Sequence, residues 1–216
     1  TLRSTMMLGL VQAASHNVKV GQKSVTLFES GSVFDAERSE SVKFAFLSSG
    51  SVERDKMSNG GKPANIGFEA FVQKIADVVG DVTLRETTPT HSFAHPYQVA
   101  AVIQDEKVIG ELFKLHPSIA EEYDLEETYL CEVDFSALEY GIKEAQSYSK
   151  YQASFRDLSV VMPSSMNYAE IETVIEANRS AEIIRFYPVD RYSDEKLGDN
   201  ISLSLRFVLQ SEAKTL

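Results

Sequence analysis

Residues 155–163, FRDLSVVMP, begin the stretch that decides the fold, followed by NYAEIETVIEANR (167–179), IIRFYPVDRY (183–192), DEKLGDN (194–200) and ISLSLRFVLQS (201–211). Leu158, Val160 and Met162 alternate with Ser159 and Val161. Ile201, Leu203, Leu205 and Phe207 alternate still more cleanly with Ser202, Ser204 and Arg206. A period of two marks strands with one buried face. Between them Tyr168, Ile171, Val174 and Ile175 recur at helical spacing, with Glu170, Glu172 and Glu176 on the other side, so an amphipathic helix is expected. Asn167 is its N-cap, and Glu170 three positions on completes something close to a capping box. The predicted order is strand, helix, strand, hairpin, strand.

That order opens a ferredoxin-like split βαβ unit. Arg156-Asp157-Leu158 before an apolar strand, the helix, a strand ending Val189-Asp190-Arg191-Tyr192, then Ser202-Leu203-X-Leu205-X-Phe207 and Gln210-Ser211 with Thr215-Leu216 are five signals in sequence. Together they resemble the ferredoxin-fold anticodon-binding domain of the bacterial phenylalanyl-tRNA synthetase beta subunit. The resemblance implies that Tyr192 stacks on the first anticodon base and that Ser159 and Asn200 line the same surface. Base-on-aromatic stacking is worth about 1–3 kcal/mol per base, enough to matter without a basic patch. Asn200 stands where the family usually has serine, and Arg191-Tyr192-Ser193 replaces the common Tyr-Arg/Gln-Gly. Arg156 and Asp157 read as an architectural pair. The family's second helix and fourth strand would follow the third strand, where this sequence stops. Leaving that helix out would uncover one sheet face, so the expectation is either a fragment with a disordered or missing end or a face covered by a neighbouring surface.

The 216 residues, 43% hydrophobic and 25% charged, are those of an ordinary globular protein able to bury a core. No apolar run approaches the roughly 18–20 residues of a membrane span, and no signal peptide opens the sequence. The expectation is a soluble, cytoplasmic protein with no membrane partner. Cys131 is the single cysteine; it has no partner for an internal disulfide and reads as structural. Net charge is −11, and residues 151–216 hold seven Lys and Arg against ten Asp and Glu, a net of −3 that leaves −8 to the rest. Nucleic-acid binders usually carry a basic face, so RNA contact here would rest on a few aromatic and polar groups.

Ahead of that stretch, Met6, Met7, Leu10, Val11, Ala14 and Val18 form a helical stripe, with Ser4 as expected N-cap and Gly21 as stop. Strands follow at 25–34 and 42–47, and the Ser-, Gly- and Asn-rich 48–65 reads as a mobile loop. Gly60-Gly61-Lys62-Pro63 lacks the Walker spacing. Phe68, Phe71, Val72, Ile75, Val78 and Val79 make a helix that Gly80 ends. A short strand at 82–85, a hairpin about Gln104–Lys107, a short helix opened by His116-Pro117, a strand at 129–135 and a helix or linker at 136–149 complete the pattern. Leu27–Phe34, His95-Pro96, Ile109-Gly110, Leu115-His116-Pro117 and Glu132-Val133-Asp134 resemble, in order and spacing, the same subunit's catalytic-like module. In active class II synthetases the strand corresponding to 25–34 ends in an Arg and Glu pair that grips ATP. Here Val33, Phe34 and Asp35 stand there, without the planar fork that holds phosphate bidentately.

The histidines lack metal spacing; His95 and His116 precede prolines and read as loop-fixing residues with ring hydrogen bonds. Neighbouring pairs such as Glu121-Glu122 point apart and make no acid–base couple, and no nucleophile motif is present. The expected fold class is α+β: an antiparallel-sheet, class II synthetase-like module over 1–148, then a truncated βαββ ferredoxin-like module over 149–216. The resemblance implies part of the beta subunit of phenylalanine–tRNA ligase, with the alpha subunit, tRNA(Phe) and a second beta subunit in an alpha2beta2 assembly as partners. It implies no catalytic or metal residue and no cofactor in this fragment; ATP and magnesium would be handled in the holoenzyme, chiefly by the alpha subunit. A scaffold without RNA binding, or more distantly a small-molecule regulator, are the competing readings.

Overall fold

The computed structural model describes residues 2–51, 55–138 and 148–216. They divide into two compact units, Thr1–Gly141 and Ile142–Leu216. The first is built on a six-stranded antiparallel sheet, ordered β1-β2-β6-β5-β4-β3. Its strands are β1 (Ser24–Phe34), β2 (Glu40–Gly50), β3 (Thr83–Glu86), β4 (Ala94–Gln104), β5 (Lys107–Leu115) and β6 (Thr128–Asp134). Side chains alternate across a sheet, so each central strand feeds two cores. Ala45, Leu47, Phe113, Leu115 and Leu130 pack beneath helix α1 (Met7–Lys19). Phe46, Leu112, Tyr129, Cys131 and Val133 pack beneath α2 (Phe68–Val79) on the other face. The short α3 (Pro117–Glu122) links β5 to β6. Burial pushes the Cys131 thiol far above its ordinary pKa, so it is an inert core residue.

Two local expectations change. The cap of α1 is not Ser4: the carboxylate of Glu132 on β6 accepts from the Met6 N–H and the Thr5 hydroxyl, both at 2.9 Å. Thr5 in turn accepts from the Met7 N–H at 3.1 Å. The helix start is therefore satisfied from a strand more than a hundred residues away, by a carboxylate at the positive end of the helix dipole. The second change is in 48–65. Strand β2 continues to Gly50, with Ser48 and Ser49 buried, because their hydroxyls find Thr26 (3.1 Å) and Thr128 (2.7 Å) across the strand pairs. Hydroxyls satisfied in this way do not break a strand.

Glycines explain two other sequence features. A Cβ on Gly110 of β5 would lie 2.1 Å from the Glu132 carbonyl oxygen, so β5 and β6 approach only because that side chain is missing. Gly31 leaves room for the Arg3 guanidinium, which donates to Ser32 O (3.0 Å) and Glu29 (2.5 Å). The β4–β5 hairpin turns on Asp105 and Glu106, both at positive φ, as a two-residue turn of the I′ kind requires. His95 Nδ1 accepts from Tyr97 N at 3.1 Å and His116 Nδ1 from Ser118 N at 3.3 Å. The ring hydrogen bonds expected of both are present, but His95 sits within β4 rather than in a loop. Most of the segment 136–149 lies outside the described residues.

The second unit has strands β7 (Ser154–Pro163), β8 (Ile183–Tyr192) and β9 (Asn200–Leu209), ordered β7-β9-β8 and antiparallel throughout. Helix α4 (Tyr168–Asn178) starts where Asn167 Oδ1 accepts from Glu170 N at 3.1 Å. It packs Tyr168, Ile171 and Ile175 on Val160, Met162, Ile201, Leu203, Leu205 and Phe207. Val174, expected on that stripe, is 62% exposed. It borders an apolar groove of roughly 500 Å³ between α4 and β7, because this one helix covers only part of the sheet.

Candidate nucleic-acid interface

Register places the candidate residues. In the β7-β9-β8 sheet, Ser159, Ser204 and Asp190 form one row; Val161, Ser202 and Tyr192 form the next, and Pro163 pairs with Asn200 at the strand ends. On the other side of the rows, Asp157, Arg206 and Tyr187 line up, then Phe155, Val208 and Arg185. All sit on alternate positions from Ile201, Leu203, Leu205 and Phe207, the residues α4 covers, and so on the helix-free face. Ser159, Tyr192 and Asn200, named separately from sequence, share that face.

Tyr192 is 53% exposed. Its hydroxyl donates to Asp194 Oδ2 at 2.7 Å, which raises the phenol pKa. Asp194 is held low chiefly by the Lys196 N–H and also by Tyr192. The bond ties the ring by its hydroxyl to the loop just beyond β8. Ser159 shares a 2.8 Å hydrogen bond with Ser204. The Asn200 amide donates to Leu197 O at 3.1 Å, which ties it to the loop and leaves its carbonyl oxygen as acceptor. Arg156 and Asp157 do not pair with each other, since neighbours on a strand point to opposite faces. Asp157 instead receives both Nε and Nη2 of Arg206, each at 2.7 Å, while Arg156 donates to Phe155 O.

In the first unit, β1 ends at Val33 and Phe34. Val33 is buried, and the nearby Arg3 fork is committed to Glu29 and Ser32. An apolar cleft of about 470 Å³ lies between α2 and strands β1 and β2, lined by Phe28, Phe44, Phe46, Phe71, Ile75 and Val78 with only Thr26, Ser48, Lys74 and Asp77 as polar neighbours. Among the described residues no group of three His, Cys, Asp or Glu side chains is placed to hold a metal, and no helix is long and apolar enough to cross a membrane.

The phenylalanyl tRNA synthetase beta chain CLM domain matches residues 1–135, and the ferredoxin-fold anticodon binding domain matches residues 149–216. The chain belongs to the phenylalanyl-tRNA synthetase beta chain family. The phenylalanine–tRNA ligase beta subunit of Sulfurimonas denitrificans is 51% identical over 216 residues, all of this chain and 28% of that protein. Those of Wolinella succinogenes and Campylobacter jejuni are 35% and 36% identical, again over all of this chain and 28% of each relative. This beta-chain family member thus spans just over a quarter of the relatives' length. Within it, sequence reasoning missed two features of the helix-free face: Asp194, which orients Tyr192, and Arg185, whose guanidinium lies 5.0 Å from the centre of the Tyr187 ring. The second had a readable signal, since residues two apart on a strand share a face.

Proposed function

We propose that this chain is a non-catalytic part of phenylalanine–tRNA ligase, the assembly that attaches phenylalanine to its tRNA using ATP. In this reading residues 149–216 receive the anticodon stem-loop of tRNA(Phe), and residues 1–148 serve as subunit scaffold. ATP and magnesium are bound elsewhere in the holoenzyme, chiefly by the alpha subunit, and the full assembly is alpha2beta2 in the cytoplasm. Tyr192 stacks on an anticodon base, while Ser159 and Asn200 hydrogen-bond beside it.

The observation that carries this reading is the half-exposed Tyr192 ring, held by its hydroxyl on the helix-free face together with Ser159 and Asn200. A stacked ring accepts any base and needs little charge, which suits a module whose residues 151–216 carry a net −3. The low charge also favours the scaffold reading, in which this face meets no RNA. Anisotropy titration of a labelled tRNA(Phe) anticodon hairpin separates the two. Tyr192→Ala is expected to weaken binding about tenfold or more with the fold intact by circular dichroism; negligible binding by both proteins would select the scaffold.

A further inference from the structure

The helix-free face holds two arginines, and the structure treats them differently. Arg206 is clamped by Asp157 through two 2.7 Å bonds, a bidentate pairing that neutralises its charge toward a ligand. Arg185 is exposed, and among the described residues no carboxylate lies within ion-pair distance of it. Its guanidinium is laid over the half-buried Tyr187 ring at 5.0 Å, and Tyr187 stands in the same row as Arg206 and Asp157. Cation–π contact holds the side chain down while leaving its N–H donors unspent. Seven positions separate Arg185 from Tyr192 along β8, with an irregularity between Pro188 and Asp190. At about 3.3 Å per residue the two groups stand roughly 20 Å apart on one face, too far to touch one nucleotide and suited to two points on one strand of RNA.

We infer that Arg185, held on Tyr187, is this module's contact to the RNA sugar–phosphate backbone. It supplies position and salt dependence while Tyr192 supplies base stacking. The assignment rests on the RNA-binding reading above and adds to it a residue with a different physical signature. A phosphate contact releases counterions and carries no sequence information; a stacking contact adds affinity without releasing counterions and tolerates any base.

The test titrates the labelled anticodon hairpin with the full chain across a series of salt concentrations. Arg185→Gln should reduce the slope of log K against log salt by about 0.7 to 0.9, so that its curve meets the wild type as salt rises. The loss should be the same on a hairpin with altered anticodon bases. Arg185→Lys should retain the slope. Arg191→Gln should match the wild type, because Arg191 pairs with Leu203 on the other face. Tyr192→Ala should lower affinity with the slope unchanged. Thermal melts confirm that each variant folds. An Arg185→Gln protein with wild-type slope overturns the assignment, whether its affinity is unchanged or reduced; reduced affinity at wild-type slope makes Arg185 a prop for the Tyr187 ring. Wild-type protein that fails to bind overturns the RNA reading together with this one.

Discussion

The two units use β-sheet in opposite ways. The six-stranded sheet is sandwiched between α1 and α2, with Leu47, Leu112, Phe113, Leu130, Cys131 and Val133 fully buried along its middle strands. The three-stranded sheet carries one helix on one face, and its buried core is Met162, Ile201, Leu203 and Leu205. Its other face shows serines, two arginines and two tyrosine rings. A sheet covered on both sides is committed to packing, whereas one covered on a single side keeps a surface for another molecule. That contrast is the physical ground for the proposal that the first unit is scaffold and the second reader.

Substitutions can break that comparison. The largest effect is expected at Gly110, where a methyl group would meet the Glu132 carbonyl at 2.1 Å. Gly110→Ala should cost about 3 kcal/mol or more, as overpacking against backbone does, seen as a lower urea midpoint for the first unit. A near-neutral result would mean β5 and β6 are not locked together. Leu205→Ala, 1% exposed beneath α4, should cost about 2 kcal/mol. That is the low end for such a truncation, because the site borders the groove beside β7 and can collapse. A loss near the upper end would show the smaller core to be as tightly built as the larger one.

Smaller still is the effect of Asp157 on acid stability. Its carboxyl is held below the ordinary aspartate value, first by the hydrogen bonds from Arg206. A depressed folded pKa gives stability that is complete above the unfolded value, about pH 4, and is lost as pH falls through the folded value. Thermal melts of Asp157→Asn should therefore lose part of the fall in stability below about pH 4 while differing little between acidic variants elsewhere. Wild-type and variant melts that decline in parallel would show the pair to be idle.

How far the sequence was legible follows the same divide. Period-two alternation in 201–207 and helical spacing in 68–79 predicted β9 and α2, because burial there depends on residues near in sequence. Glu132 capping α1 was invisible, since the bond spans 126 residues and no local pattern marks it. Ser48 and Ser49 read as loop because their partners, Thr26 and Thr128, lie on other strands. Val174 was placed in the core by spacing alone, and only the position of α4 on the sheet shows it exposed. Tyr192, Ser159 and Asn200 were named through family resemblance; that they share a face needed the strand register.

Chemical-shift mapping of the backbone amides during titration with the anticodon hairpin tests the division between scaffold and reader most directly. The expected shifts cluster at Asp157, Ser159, Val161, Arg185, Tyr187, Asp190, Tyr192 and Asn200 through Arg206, with α4 and the six-stranded sheet silent. Shifts concentrated on α4, on its groove or in the first unit would contradict the account.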